Sequence, residues 1–313
     1  MKLDVISVGS ASVDTFVTSS SPDLQLDLEK RQVLLPVGGK VLLDSLVTDV
    51  GGSGVNTSIS FARLGLRAGF LGKLGSDADA HAVEKRLKHE RVRVLKTQRK
   101  GHTGYSFILS ALAHDRTILT YKGSNDSLDA NDVLWSQLDA KWLYLGSLLG
   151  KSWKTQKSIA QFAAKKGMKL LFNPSLYLAE QGTKKLAPVL DACNILVLNK
   201  EEAQSLLKSK GTIPQLLKCL HKHAPLVVIT EGPRGAHAYD GSKVYYARAH
   251  PVKVLDPTGA GDAFASGFLA AQMYGKNLAQ SLRWGVAQAE SILAKFGATN
   301  DLLTKKEMEK KCL

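Results

Sequence analysis

Short apolar runs alternate with segments of helical periodicity along most of the chain. The runs are β-rich and have the length of buried strands, whereas apolar residues in the segments between them recur every three or four positions. Strands that alternate with helices in this way build parallel βαβ units and a layered α/β sheet. The pattern predicts buried strands at Val5–Gly9, Ala68–Leu71, Trp142–Leu145, Lys169–Phe172, Ile195–Leu198 and Leu226–Thr230.

The segments between these strands predict five helices, and two longer helices are predicted to close the chain. No tandem repeat of solenoid length interrupts this order. The predicted helices are Val55–Leu64, Ala80–His89, Ser152–Lys166, Glu201–Lys208, Ile213–His223, Gly261–Tyr274 and Leu278–Lys295.

Two stretches break the alternation. Val33–Val50 alternates apolar and polar positions around a Pro and a Gly-Gly pair, which predicts a strand, a turn and a second strand. Gly104–Tyr121 predicts a β-hairpin with its turn near His114-Asp115. We interpret these four strands as a small β lid inserted into the α/β core; the alternative is an antiparallel edge of the main sheet.

The predicted core comprises residues 1–13, 51–97 and 122–313, and the predicted lid comprises residues 14–50 and 98–121.

The composition is that of an ordinary globular protein. The 313 residues are 44% hydrophobic and 22% charged, so the chain can bury a core without disulfides or a structural metal. No apolar run reaches the length of a membrane span, and the N-terminus begins directly with a strand pattern where a signal peptide would be apolar. Cys193, Cys219 and Cys312 are widely spaced and predict neither a disulfide framework nor a zinc site. Together these features predict a cytoplasmic protein without a membrane partner.

The net charge of +14 is the one unusual feature of the composition. Eight of the sixteen residues from Lys85 to Lys100 are Lys or Arg, and such runs can bind nucleic acid by neutralising phosphates. Acidic residues and helically spaced apolar residues are mixed into the start of this run, which is typical of a solvated helix face. No aromatic residues interleave with the basic ones as in a single-strand binder. Nucleic-acid binding is therefore not expected as the main function, and a small anionic substrate is a second use for a positive field.

The strongest candidate for a chemical site is the segment Asp256–Phe268, a loop of small residues that opens a helix. Gly259 and Gly261 allow the backbone to come close to a ligand. The first N–H groups of the helix, with the positive end of its dipole, form an anion site. Asp262 in the first turn could take a proton from an attacking hydroxyl group. The alternative is a turn that packs the helix on a strand, with Asp262 as a favourable first-turn acid.

A second glycine-rich turn, Gly51–Ser58, also joins a strand pattern to a helix pattern. Asn56 near the start of that helix has donors and an acceptor for hydroxyl groups. Asp14 follows the first predicted strand, and open α/β sheets bind ligands at the carboxyl ends of their strands. The alternatives are an N-cap role for Asn56 and a turn or cap role for Asp14.

Two further turns follow buried strands. In the first, Asn199 and Glu202 have the spacing of a capping box, and the alternative places both near metal-bound phosphates. In the second, Thr230–Ala236 is a glycine-containing turn that is either a plain turn or a nucleotide contact. Neither the Walker loop nor the motif set of protein kinases is present in the sequence.

The two glycine segments together resemble the two motif regions of the ribokinase-like (PfkB) family of sugar and nucleoside kinases. Gly51–Gly75 matches the first motif with its internal spacing, and Asp256–Leu269 matches the second. The resemblance extends from about Val5 to Gly297. It implies a ribokinase-like three-layer α/β/α core with a mostly parallel central sheet and a small β-strand lid. Three further matches occur in the family's order: Asp14 after the first strand, Asn199-x-x-Glu202, and Thr230-x-Gly232-x-x-Gly235.

The resemblance implies an ATP-dependent phosphotransferase that uses Mg²⁺, and in many members K⁺. Asp262 would be the general base on the acceptor hydroxyl, and the N–H groups of Gly259, Ala260 and Gly261 would form the anion hole for the transferred γ-phosphoryl group. The other implied roles are Asp14, Gly51, Gly52 and Asn56 for the acceptor, Asn199 and Glu202 for Mg²⁺ through water, Thr230, Gly232, Gly235 and Thr258 for the nucleotide, and Asp256 for a monovalent cation.

Departures from the family pattern bear on the acceptor. Ser53 stands where ribokinases and phosphofructokinases often have Lys after the double glycine, which argues against a phosphosugar. Gly-Gly-Ser resembles the family's nucleoside kinases, whereas Asp115–Ile118 and Gly123–Asn125 resemble its general sugar kinases. The leading interpretation is a kinase for a primary hydroxyl of a free sugar. The alternative is an adenosine-, guanosine/inosine- or cytidine-type nucleoside kinase whose base stacks on Val41, Leu43, Phe107 and Leu109.

Two hypotheses from other classes remain at this point, namely a non-catalytic ligand sensor and a nucleic-acid binder on the same fold. Turnover of ATP would separate a kinase from both. Because exposed strand edges pair readily, the lid strands also predict a homodimer.

Overall fold

Strands and helices alternate through most of the structure, a computed structural model that describes residues 2–27, 29–30, 32–112 and 115–312. All six strands expected from the apolar runs are present. In chain order, the described strands are β1 (Leu3–Val8), β2 (Ser12–Thr18), β3 (Gln25–Asp27), β4 (Gln32–Leu34), β5 (Ser45–Gly51), β6 (Ala68–Leu71), β7 (Arg93–Val94), β8 (Gly104–Leu112), β9 (Asp115–Tyr121), β10 (Ala140–Leu145), β11 (Lys169–Phe172), β12 (Ile195–Asn199), β13 (Leu226–Thr230), β14 (Ala236–Tyr239) and β15 (Val244–Ala247).

The seven predicted helices are also present, with ends that differ by a few residues. Within the described ranges, no helix is long and apolar enough to span a membrane. In chain order, the helices are α1 (Ser53–Arg63), α2 (Ala78–His89), α3 (Gly150–Lys165), α4 (Leu176–Ala179), α5 (Gly182–Leu190), α6 (Lys200–Leu207), α7 (Ile213–Leu220), α8 (Ala260–Met273), α9 (Leu278–Ile292) and α10 (Lys305–Lys311).

The main sheet has nine of the described strands in the order β15-β14-β13-β12-β11-β10-β1-β6-β7. The strands from β13 to β7 in this order are parallel, and β14 and β15 add an antiparallel edge. The direction of strand succession reverses at β1, since β6 lies on one side of it and β10 on the other. Such a reversal opens a crevice at the carboxyl ends of the strands, where ligands bind in open α/β sheets.

Apolar side chains alternate between the two faces of this sheet, and each face packs against its own helices. Val5 belongs to the cluster formed with α1, α2, α8, α9 and α10, whereas the neighbouring Ile6 belongs to the cluster formed with α3 to α7. A parallel strand buried on both faces reads as a continuous apolar run, which explains why these strands were predictable. The predicted three-layer α/β/α core with a mostly parallel sheet is confirmed.

A separate four-stranded sheet, which we call the small sheet, has the order β5-β2-β8-β9. The predicted hairpin is confirmed as the antiparallel pair of β8 and β9, although His114 at its predicted turn lies outside the described residues. The two strands predicted in Val33–Val50 are present as β4 and β5, and they pair with different strands, β4 with β3 and β5 with β2. The small sheet is also not an edge of the main sheet. Its motion as a lid stays a prediction.

The helices that carry the two glycine motifs, α1 and α8, pack against each other on one face of the main sheet. Ser266 of α8 donates a 2.7 Å hydrogen bond to Ser60 of α1, and Gln288 of α9 donates to the same hydroxyl oxygen at 3.0 Å. All three side chains are buried. This polar contact fixes the start of α8 relative to α1, which brings two distant parts of the sequence to the same crevice.

The basic run lies on α2 and the segment after it, and part of its charge is paired. Arg86 Nε lies 3.4 Å from Glu90 Oε1, and Arg63 Nη2 of α1 lies 2.6 Å from the same oxygen. Arg99 pairs with Glu84. The local pairing agrees with a solvated helix face, as the mixture of charges in the sequence predicts.

Candidate active site

A cavity with a volume of about 320 Å³ lies at the carboxyl ends of the strands, where the two glycine segments meet. Six of the residues that the sequence predicted for a site line this cavity: Asn199, Glu202, Thr230, Gly259, Gly261 and Asp262. The remaining predicted residues are not among those that line it: Asp14, Gly51, Gly52, Asn56, Gly232, Gly235, Asp256, Thr258 and Ala260.

Asp262 lies in the first turn of α8 and is held from two sides. Its Oδ2 accepts a 2.9 Å hydrogen bond from Asn56 Nδ2, and its Oδ1 lies 3.3 Å from the Tyr144 hydroxyl oxygen. Burial raises the pKa of Asp262 from 3.8 to about 6, and the negative charge of Asp14 adds to this, while the Asn56 and Tyr144 hydrogen bonds act in the opposite direction. A carboxylate that ionises just below neutral pH can accept a proton efficiently at physiological pH.

The turn before α8 requires glycine at one position and leaves open space at another. Gly259, the N-cap of α8, has φ of 80°, and a Cβ there would overlap a neighbouring alanine. A Cβ on Gly261 would meet no neighbouring atom within 4 Å, because that side faces the cavity. The first N–H groups of a helix have no partner within the helix, so those of Gly259, Gly261 and Asp262 can receive an anion. The Ala260 N–H donates to Pro257 O at 3.2 Å.

Asp14 and Asn56 are both buried, at 6% and 5% exposure, on the small-sheet side of the crevice. Asp14 Oδ1 accepts a 2.8 Å hydrogen bond from Ser12, and burial raises the pKa of Asp14, with smaller contributions from the charges of Asp49 and Asp256. The sequence left open a turn or cap role for Asp14 and an N-cap role for Asn56, and both of these alternatives are wrong. Asp14 lies inside β2, and Asn56 lies inside α1, whose N-cap is Gly52.

The double glycine packs closely against Asp14 and the loop after β1. A Cβ at Gly51 would overlap the Asp14 carboxylate, and Gly52 has φ of 93° with Ser10 O only 2.6 Å from an ideal Cβ. Side chains at these positions would displace Asp14 or the loop. Both glycines therefore shape the crevice beside Asp14 through their lack of a side chain.

Asn199 and Glu202 form the capping box at the start of α6. Asn199 Oδ1 accepts from the Glu202 N–H, and Glu202 Oε2 accepts from the Asn199 N–H, both at 2.8 Å. Because both side chains also line the cavity, the capping role and a role toward a ligand are compatible. Burial raises the pKa of Glu202 to about 7, and the negative charges of Glu201 and Asp262 add to the effect.

The side chains of Asn199 and Glu202 suit Mg²⁺ and do not suit a metal that is held by protein ligands alone. Among the described residues, no group of three His, Cys, Asp or Glu side chains is placed to hold a metal ion. Mg²⁺ characteristically keeps several waters and binds through one or two carboxylates together with substrate phosphates. Glu202 has one carboxylate oxygen outside the capping box, and a cation near it would lower its raised pKa.

The turn after β13 and the segment before α8 contain the other predicted site residues. Thr230 ends β13 and lines the cavity, whereas Gly232 and Gly235 lie in the turn that follows. Gly235 has φ of 90°, and a Cβ there would overlap a backbone oxygen of β15, so this turn requires glycine. Asp256 Oδ1 accepts hydrogen bonds from the N–H and the hydroxyl of Thr258 at 2.9 and 2.6 Å.

The cavity also includes residues that were not among the predicted site residues. Lys122 and Tyr177 are at its lining, with Lys122 Nζ 5.5 Å from the centre of the Tyr177 ring. Asn173 follows β11 and lines the cavity, and Tyr144 of β10 contacts Asp262. Of these residues, Asn173 had a signal in the sequence, since a polar residue just after the end of a buried strand lies at the ligand edge of a parallel sheet.

Two of the four side chains proposed to stack a nucleobase project from the face of the small sheet opposite Asp14. Asp14 is paired with Ser106 across β2 and β8, so both project from the same face of the small sheet. Phe107 and Leu109 alternate with Ser106 and therefore project from the opposite face. Phe107 and Leu109 therefore do not share a face with Asp14, as the proposed stacking surface would require.

Comparison with known proteins gives a consistent result. The sequence pattern of a family described as pfkB family carbohydrate kinase matches residues 16–305. The 5-dehydro-2-deoxygluconokinase of Halalkalibacterium halodurans is 28% identical over 283 residues, which covers 83% of this chain and 84% of that protein. The ribokinase of Bacillus subtilis is 28% identical over 306 residues, which covers 96% of this chain and 97% of that protein.

Solved structures share the fold over the whole chain. The adenosine kinase from Sinorhizobium meliloti superposes with a TM-score of 0.85 at 20% identity and covers 100% of both chains. The Arabidopsis thaliana ribokinase complexed with ribose and ATP superposes with a TM-score of 0.81 at 22% identity, covering 100% of this chain and 99% of that one. The ribokinase-like fold expected from the motifs is confirmed.

Proposed function

Because the chain belongs to the pfkB family of carbohydrate kinases, we propose that it transfers the γ-phosphoryl group of ATP to a hydroxyl group of a free sugar. The observation that carries this proposal is the position of Asp262. Its carboxylate lines the cavity at the N-terminus of α8 and is fixed there by Asn56 of the other motif. A base beside an anion site is the arrangement that a hydroxyl acceptor and a phosphoryl donor require.

In this proposal Asp262 accepts the proton of the acceptor hydroxyl as that oxygen forms its bond to the γ-phosphorus. The bond between the γ-phosphorus and the bridging oxygen of ADP breaks, and the negative charge remains on ADP. The N–H groups of Gly259, Ala260 and Gly261 would stabilise the transferred group, for which the Ala260 N–H would leave Pro257 O. Phosphoryl transfer has a loose transition state, so placing these groups and neutralising charge supply most of the rate enhancement.

ATP and Mg²⁺ are the cofactors that this chemistry needs. Asn199 and Glu202 would hold Mg²⁺ through water, and the metal would neutralise charge on the transferred phosphates. Asp256, buried at 3% exposure just before α8, would bind a monovalent cation such as K⁺. The residues that would contact the nucleotide are Thr230, Gly232, Gly235 and Thr258.

The acceptor proposed here is an unphosphorylated sugar, with sugar acids as the favoured class. Ser53 lies at the cavity in the position where a Lys would pair with a phosphate already on the sugar. Lys122 supplies a positive charge at the cavity lining, which suits a single carboxylate. One relative is named 5-dehydro-2-deoxygluconokinase, and gluconate derivatives carry a carboxylate.

The test is ATP consumption with Mg²⁺ and K⁺ over a panel of free sugars, sugar acids, sugar phosphates and nucleosides. The proposal predicts turnover with a free sugar or a sugar acid. Turnover with nucleosides alone would move the acceptor to the nucleoside class, which the fold of the Sinorhizobium meliloti adenosine kinase also accommodates. Ligand binding without turnover across the panel would contradict the proposal and favour a sensor.

We also propose a homodimer formed through the small sheet. Leu46, Leu119 and Tyr121 are exposed at 60%, 64% and 57%, and all three project from the face opposite Asp14. A second copy would bury this apolar face, since patches of this kind mark interaction surfaces. Leu119→Glu is expected to reduce the mass in solution from that of a dimer to that of a monomer. Leu134→Glu, at another exposed leucine, is the control and is expected to remain a dimer. A wild-type protein that is monomeric at micromolar concentration would contradict the proposal.

A further inference from the structure

Tyr144 is fully buried in β10, in contact with Asp262. Its ring packs edge-on against Phe61 of α1, with a centroid distance of 6.2 Å and an interplanar angle of 68°. Most neighbouring residues of β10 are apolar, yet Tyr144 brings a hydroxyl group to the ligand edge of the sheet. A buried tyrosine hydroxyl needs a hydrogen-bond partner, and here two are present.

The Tyr144 hydroxyl lies between two oxygen atoms that both accept hydrogen bonds. Asn173 Oδ1 is 2.9 Å away, and Asp262 Oδ1 is 3.3 Å away. Asn173 Nδ2 donates a 2.9 Å hydrogen bond to Val197 O, which fixes the amide so that its oxygen faces Tyr144. A phenol has a single proton, so it can serve only one of the two acceptors at a time.

We propose that Tyr144 is a positioning residue for Asp262, with a hydroxyl proton that alternates between Asp262 and Asn173. While Asp262 is ionised, Tyr144 donates to its Oδ1 and, together with Asn56 on Oδ2, sets the direction of the carboxylate. When Asp262 has taken the acceptor's proton, the Tyr144 proton turns to Asn173 Oδ1. The phenol oxygen can then accept from the protonated carboxyl group, so both states of Asp262 are hydrogen-bonded.

This inference rests on the proposed function, because it assigns Tyr144 a part in the proton transfer to Asp262. The proton balance is unchanged by it: the acceptor proton resides on Asp262, and the Tyr144 proton remains on Tyr144. Among the described residues, Asp14 on β2 and Glu202 on α6 interact with Asp262 through their charges, and Lys122 after β9 lines the same cavity. They are common to wild type and variants, so a difference between the two isolates the contribution of Tyr144.

The test compares the pH dependence of turnover in wild type and Tyr144→Phe at saturating Mg²⁺ and ATP. Removing one hydrogen bond to the ionised carboxylate is expected to move the acid limb of kcat to higher pH by about 0.5 to 1 unit, which lowers kcat at pH 7 by up to about twofold. The KM for ATP is expected to stay unchanged. Tyr274→Phe is the matched control, since its hydroxyl donates a 2.8 Å bond to Leu64 O away from the site.

A second variant predicts a shift of the opposite sign. Asn173→Ala removes the competing acceptor and leaves the Tyr144 proton to Asp262 alone, so the acid limb is expected to move to lower pH. The inference would be overturned if wild type and Tyr144→Phe had equal pH profiles, or if the acid limb moved in the same direction in both variants. In either case, turnover by wild type would still support the proposed kinase activity. Absence of acceptor-dependent turnover in wild type would instead overturn the proposed function and this inference with it.

Discussion

The Asn56 amide donates a 2.9 Å hydrogen bond to Asp262 Oδ2, although 206 residues separate the two in the chain. Each residue belongs to a different glycine motif, and the contact of Ser60 with Ser266 one turn further along the two helices keeps them in register. The two motifs therefore form one site. Asn56 both fixes the carboxylate and favours its ionised form, since a hydrogen bond to the charged form lowers a pKa.

The pH dependence of turnover is the first prediction. The pKa of Asp262 is raised to about 6, and the base must be ionised, so kcat is expected to fall as the pH drops through 6. Asn56→Ala removes a hydrogen bond that stabilises the ionised form and is expected to move this acid limb to higher pH. Ser58→Ala is the control, because the Ser58 hydroxyl donates to Val55 O within its own helix. If the acid limb of kcat lies at the same pH in Asn56→Ala and in wild type, Asp262 is not the group whose ionisation produces it.

Stability is expected to change in the opposite sense from activity when Asp262 loses its charge. The folded-state pKa of about 6 lies above the ordinary 3.8, so the folded protein disfavours the ionised form, and wild type loses stability as the pH rises from 4 through 6. Asp262→Asn never ionises and is expected to be more stable than wild type above pH 6, by on the order of 2 kcal/mol. Below pH 4 the difference should vanish. Urea unfolding at pH 4 and pH 7.5 measures the difference in the free energy of unfolding between Asp262→Asn and wild type. The same difference at both pH values would contradict the raised pKa of Asp262.

Much of the core was predictable because its information is local. Strands such as β10 and β13 are buried on both faces and read as continuous apolar runs, and the glycine motifs carry their spacing in the sequence. β2 was missed since its polar residues are buried through distant partners: Thr15 pairs with the Tyr105 hydroxyl at 2.6 Å, a contact between residues 90 positions apart. β14 and β15 were missed because they are short antiparallel strands at the edge.

The candidate site shows the same limit. Tyr144 reads as a core residue in an apolar strand, and only the fold brings its hydroxyl to Asn173 and Asp262, which are 29 and 118 positions away. Asn199 and Glu202 were identified correctly as a capping box, but local spacing could not reveal that they also border a cavity. Sequence patterns thus predict local geometry and family motifs, whereas long-range polar contacts have to come from the structure.

Gly259 and Gly261, which border the same cavity, are expected to respond differently to alanine. Gly259→Ala forces φ of 80° on a residue with a Cβ that would overlap Ala298, so it is expected to lower both stability and turnover. Gly261→Ala places its methyl group in open space at the cavity and is expected to fold normally. Its kcat should still fall by a factor of about 10²–10³, because the methyl group would keep the phosphoryl group away from the N–H donors at the start of α8. Thermal unfolding and ATP turnover of both variants measure this, and a fully active Gly261→Ala would remove the anion hole from the account.

The charge of Lys122 is expected to select the acceptor. Lys122→Met keeps the length of the side chain and removes its charge, so the KM for a sugar acid should rise about tenfold or more while the KM for a neutral sugar changes little. Lys141→Met, at an exposed residue that pairs with Asp4, is the control. Steady-state kinetics with a sugar acid and the corresponding neutral sugar distinguish the two effects. An equal change for both acceptors would assign Lys122 to packing instead of recognition.

The most direct test of the account is to follow the phosphorylated product by ³¹P NMR with wild type and Asp262→Asn, each given ATP, Mg²⁺, K⁺ and the best acceptor of the panel. We expect wild type to form a sugar phosphate in step with ADP, and Asp262→Asn to lose about 10²–10⁴ in that rate with little change in the KM for ATP. A variant that forms the product at a rate near that of wild type would contradict the role of Asp262 as general base.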